Sequence, residues 1–102
     1  MKNLLVIKEK DPSLLVKATS LRRQGRDAAV LLMLDAVYLA REPGEHAEVL
    51  RDCLASGVDV HLLEEDIAKR GIESGLAAGI NLVDFGGLVD LLFKDEQRVL
   101  NL

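Results

Sequence analysis

Four short apolar-rich runs, at residues 4–7 (LLVI), 28–34 (AAVLLML), 58–63 (VDVHLL) and 80–83 (INLV), alternate with segments of helical periodicity. Each run has strand length, and residues 4–7 and 28–34, where apolar residues run together without polar alternation, read as strands buried on both sides. Strands that alternate with helices across short links imply right-handed crossovers onto a parallel sheet with helices on both faces. The expected architecture is a three-layer α/β/α domain with a mostly parallel sheet of about five strands. Residues 99–102 supply the last strand.

The helical segments carry their own punctuation. Asp11 suits a cap and Pro12 a first helical position; Leu14, Leu15, Ala18 and Leu21 then form one stripe, which Gly25 stops. Asp35 ends the second strand, and a short helical turn over residues 36–40 breaks at Pro43-Gly44. From Glu45 the period is helical again, with Ala47, Leu50 and Leu54 on one side, until Ser56-Gly57. Glu64-Glu65-Asp66 opens the next helix and Lys69-Arg70 closes it, each matching the sign the helix dipole favours at that end, before Gly71. Residues 72–79 read as a connection and 87–93 as the last helix.

With 102 residues the chain has room for one domain, residues 1–102, and no repeat or linker divides it. Its 49% hydrophobic content, with no tryptophan and 3% aromatics, calls for an aliphatic core that needs neither metal nor disulfide. A net charge of −4 without a basic block argues against direct binding of nucleic acid. One cysteine excludes an intrachain disulfide, and the short first apolar run suits neither a signal segment nor a membrane span. A cytoplasmic protein is expected.

Ligands of open parallel sheets gather beyond the carboxyl ends of the strands. Those ends carry Lys8 and Glu9, then Asp35, then residues 64–66, then Asp84. Grouped carboxylates would suit a receiver-like, cation-binding regulatory domain. The favoured reading is structural: Asp35 and Glu64 cap helices, and Asp84 bonds backbone at a turn. Cys53 falls late in a helix beside Leu50 and Leu54, which favours a buried thiol over a persulfide carrier. His46 and His61 lack metal-ligand spacing, and the glycines form no phosphate-binding fingerprint, so no metal or cofactor is expected.

In order along the chain, the segments AVLLMLDAVYLA, VDVHLLEEDIAKRGI and GINLVDFGGLVDLL, with a terminal strand close behind, resemble the DsrH/TusB family of sulfur-relay proteins. The resemblance implies a DsrE-like fold and assembly with homologous subunits of the DsrE/DsrF or TusC/TusD kind. In that family sulfur passes as a persulfide, toward tRNA 2-thiouridine synthesis or within dissimilatory sulfur oxidation. Some members carry a cysteine in the first helix. The corresponding stretch here, residues 15–21, holds Ala18, Thr19 and Ser20 and no cysteine. Asp35-Ala36 also stands where the family often has Asp-Gly.

The resemblance therefore implies a non-catalytic interaction subunit of a sulfurtransferase complex, with a Cys53 carrier as the alternative. The short helices at residues 36–40 and 87–93 can mask little of a sheet, so a homo- or hetero-oligomer is expected. Tyr38, Leu39, Phe85 and Phe93 are the candidate contact residues, because aromatic side chains favour interface cores.

Overall fold

In the computed structural model, which describes residues 2–93 and 97–101, five strands form one sheet in the order β4-β3-β2-β1-β5, with every neighbouring pair parallel. The strands are β1 (Lys2–Ile7), β2 (Ala28–Leu32), β3 (Asp59–Leu63), β4 (Asn81–Val83) and β5 (Gln97–Asn101). Helices α1 (Ser13–Arg23), α2 (Ala47–Ala55), α3 (Glu64–Arg70) and α4 (Phe85–Leu92) connect them, with a 3-10 segment at Leu34–Ala40.

The strand order dictates where the helices go. From β1 to β4 each crossover steps in one direction, so right-handedness places its helix on one face. The connection from β4 to β5 runs back across the sheet, and the same handedness puts α4 on the opposite face. The packing agrees. Leu5, Ile7, Val30, Leu32, Val60 and Leu62 share one cluster with Leu15 and Ala18 of α1, Leu39 of the 3-10 segment, Leu50 of α2 and Ile67 of α3. Across the sheet, Leu4, Val6, Ala29 and Leu31 form a second cluster with Met33, Val83 and the α4 residues Leu88, Leu91 and Leu92. All five β2 residues are buried, as expected for a central strand covered on both sides.

The expected elements are present, with boundaries shifted for local reasons. Asp11 does bracket the start of α1, where its Oδ1 accepts from Ser13 N at 3.0 Å and Ser13 Oγ at 2.7 Å. The first helical bonds nevertheless close on the Pro12 carbonyl, from Leu15 and Val16. These bonds to Ser13 hold the Asp11 carboxyl below its ordinary pKa. The second strand stops at Leu32 instead of residue 34, because Leu34 turns to a left-handed φ of 53° and opens the 3-10 segment. Helix α2 begins at Ala47, two residues later than Glu45. Gly71 ends α3 in the left-handed conformation, φ 63°, ψ 34°, that a helix stop asks of glycine. Helix α4 starts at Phe85, earlier than residue 87, because Asp84 Oδ1 accepts from Gly87 N at 2.8 Å and caps it. Residue 102 of the expected terminal strand lies outside the described residues.

Candidate functional site

Helix α3 follows β3 without a linker, so its acidic first turn sits directly at the carboxyl edge of the sheet. Two of its three acids, Glu65 and Asp66, bond to backbone N–H groups of neighbouring segments. Asp66 is buried, and its Oδ2 accepts from Leu34 N at 2.6 Å. Arg70, one turn on, approaches Asp66 Oδ1 at 3.6 Å and donates from Nε and Nη2 to Asp35 Oδ1 at 3.2 and 2.9 Å. On the other side, Glu65 Oε2 accepts from Phe85 N at 3.2 Å. The first turn of α3 thus holds the backbone at the exits of both β2 and β4.

Two of the expected caps are corrected by this arrangement. Asp35 is an ion-pair partner of Arg70, and the 3-10 segment has no side-chain cap. Glu64 is the first residue of α3, whose cap position is Leu63, again without a side-chain bond. Asp66 and Glu65 reach sideways instead, to the backbone N–H groups of Leu34 and Phe85. The sequence shows three consecutive acids, which look alike as a helix start. Only the order of strands around β3 reveals that two of them bond to neighbouring strand exits. Among the described residues, no group of three or more His, Cys, Asp or Glu side chains could hold a metal ion.

Leu34 is the strained point of this edge. It is the sole described non-glycine residue with positive φ, and it is 44% exposed. A left-handed conformation costs a leucine about 1–2 kcal/mol, and the Asp66 carboxylate on its N–H offsets part of that.

Cys53 lies on the inner side of α2 with no exposed surface. Burial pushes its thiol up from the ordinary value, and a hydrogen bond with the Thr19 side chain only partly opposes this. Thr19 itself donates Oγ1 to Leu15 O at 2.8 Å. Above this layer a groove of about 320 Å³ runs between α1 and α2, lined by Val16, Thr19, Ser20, Arg23, Val49 and Asp52. Two residues of the cysteine-free stretch, Thr19 and Ser20, therefore face this groove, offering hydroxyls and no thiol.

The four candidate contact residues part company. Leu39 is buried in the core of the chain, so it is withdrawn as a contact. Tyr38 packs partly against the same core, with Lys10 Nζ 5.9 Å from its ring centroid. Phe85 and Phe93 are 54% and 81% exposed. Val89, 52% exposed, joins them on α4 and was not singled out by the sequence, because an aliphatic residue in FGGLVDLL reads as core. The helix spacing of 85, 89 and 93 is the signal that could have found it.

These features define a small parallel α/β module with helices on both faces of the sheet, one inaccessible thiol and an uncovered apolar helix face. The sequence profile described as "DsrH like protein" matches residues 10–98, and the chain belongs to the DsrH-like family. It is thereby a sulfur-relay-related protein with the DsrE-like fold. The YchN protein of E. coli is 25% identical and superposes with a TM-score of 0.78 over 100% of both chains. MTH1491 of Methanobacterium thermoautotrophicum, a protein of unknown function, is 15% identical, with a TM-score of 0.79 over 99% of this chain and 98% of that one. BT1422 of Bacteroides thetaiotaomicron, also of unknown function, is 15% identical, with a TM-score of 0.82 over 99% and 94%. These two likenesses bear on the fold alone. No curated protein matches the sequence. Among the described residues, no helix is long and apolar enough to cross a membrane.

Proposed function

We propose that this chain is an interaction subunit of a sulfur-relay complex, with the working thiols on homologous DsrE/DsrF-like or TusC/TusD-like partners. The observation that carries this reading is the state of Cys53, the one cysteine in the sequence, which has no exposed surface. Sulfur relay needs a thiolate that can reach a partner's persulfide, and burial without a nearby cation opposes both reach and ionisation. The complex would serve tRNA thiolation or sulfur oxidation in the cytoplasm, with this chain touching neither nucleic acid nor membrane.

The persulfide-carrier and receiver-like alternatives find less support. Of the carboxylates a receiver-like site would draw on, Asp35, Glu65, Asp66 and Asp84 bond to Arg70 or to backbone N–H groups. Two measurements test the proposal. A thiol probe should label Cys53 in unfolded but not in folded protein. In a complex reconstituted with DsrE/DsrF-like or TusC/TusD-like chains, Cys53→Ser should leave sulfur transfer nearly unchanged. Labelling of the folded chain, or loss of transfer with the fold preserved, would sink it.

A further inference from the structure

The outer face of α4 has a composition and a rim that specify what covers it. Its inner residues Leu88, Leu91 and Leu92 pack on the sheet. Phe85, Val89 and Phe93 stand four apart, so they line up along about 12 Å of helix axis on the side away from the sheet. Two of the chain's three aromatic residues are in this stripe. At their observed exposures the three side chains offer roughly 350 Å² of apolar surface, taking about 200 Å² for a phenylalanine. A standard interface of about 800 Å² per partner, some 60% of it apolar, needs roughly 480 Å². The stripe supplies most of that, in one row, on a helix with no fully buried residue.

The rim decides the occupant. The described residues from Gly71 to Phe93 contain Glu73, Asp84 and Asp90 and neither lysine nor arginine; Lys94, Asp95 and Glu96, which follow, lie outside the described residues. Asp90 follows Val89 at the middle of the stripe, Asp84 caps the helix, and Glu65 is bonded to Phe85 N at its start. A second copy packed through the same face about a two-fold axis would set Asp90 near its own image, with no base on either helix to answer it. Like charges across an interface act against association, while opposite rims favour it and speed encounter.

We propose that the outer face of α4 is the docking surface for a different protein chain, one that presents an apolar patch rimmed by lysine or arginine. This rests on the reading of the chain as a subunit of a relay complex, and it names the surface by which the subunit joins.

The test uses the full chain co-purified and titrated with DsrE/DsrF-like or TusC/TusD-like chains from the same genome. Val89→Asp and Phe93→Ser should each weaken the complex by at least about thirtyfold, the size of a hot-spot residue. Asp90→Lys should weaken it by about tenfold at low salt and flatten its salt dependence. Val16→Asp, an equally exposed apolar site on α1 across the sheet, should change the affinity less than twofold. Phe93→Ser and Asp90→Lys keep the test open if Val89→Asp fails to fold. An undiminished complex with folded Val89→Asp and Phe93→Ser overturns the surface while the subunit reading stands. A wild-type chain that ignores the sister chains overturns both. A wild-type homodimer that Val89→Asp dissolves makes a second copy the occupant and overturns the choice of partner.

Discussion

The two faces of the sheet are built from the same kind of strand and are covered very unequally. One face lies beneath α1, the 3-10 segment and α2, and its cluster includes fully buried residues from each of them. Among the described residues, the other lies beneath α4 alone, none of whose residues is fully buried. Handedness causes the difference. Three crossovers step the same way and deposit helices on one side, and the single return deposits one helix on the other. The strands nevertheless bury Leu4 and Leu31 on the thin side as completely as Leu5 and Leu32 on the thick side. The shortfall is therefore moved outward, to the exposed stripe of α4, where a partner can make it good.

Core truncations should break or sharpen this comparison most. Leu32→Ala removes a fully buried side chain from the thickly covered face and should cost about 2–5 kcal/mol in urea unfolding. Leu88→Ala, half-buried on the thin side, should cost about 1 kcal/mol in the isolated chain. Equal losses would mean that α4 seals its face as well as the other helices seal theirs.

The strained edge between the two faces comes next. Asp66→Ala leaves the Leu34 N–H without its acceptor and Arg70 without one of its two carboxylates. Thermal or urea unfolding should show a loss of about 2–3 kcal/mol. Leu34→Gly should act in the opposite direction. It relieves about 1–2 kcal/mol of left-handed strain against about 0.5–1 kcal/mol of added chain entropy. The glycine variant should thus be more stable than Leu34→Ala, which keeps the strain and gives up the side chain. The reverse order would show that the left-handed backbone is not what Leu34 pays to hold its side chain out.

Most of the fold could be read from the sequence because it rests on local signals. The apolar runs announced the strands, and Asp11-Pro12, residues 64–66, Gly71 and Asp84 announced where helices start or stop. What could not be read depends on strand order. The reversal between β4 and β5 leaves no mark in any single segment, and it alone puts α4 by itself on one face. The same holds for the candidate site. Burial of Cys53 followed from helical spacing beside Leu50 and Leu54, but the side-by-side roles of Glu65 and Asp66 needed β2, β3 and β4 to be neighbours. Leu39 was misplaced for a related reason: in a 3-10 segment it turns inward, away from the edge that Tyr38 borders.

The smallest expected effect belongs to Cys53, and it tests the thick side from within. Its thiol is pushed above its ordinary pKa mainly because burial disfavours the thiolate. In the unfolded chain the thiol ionises near its ordinary value of about 8.5. Between that value and the higher folded one, the unfolded state binds fewer protons than the folded state, so stability falls as pH rises. This contribution is complete below the unfolded pKa and is lost as pH climbs through the folded one. Cys53→Ala deletes the titration and leaves the other alkaline groups in place. The gap in urea stability between wild type and Cys53→Ala should therefore be constant from neutral pH to about pH 8 and shift in favour of the variant above it. A gap that stays constant into the alkaline range would mean that the thiolate is accommodated inside the fold, and the buried layer between α1 and α2 would be wetter than its packing indicates.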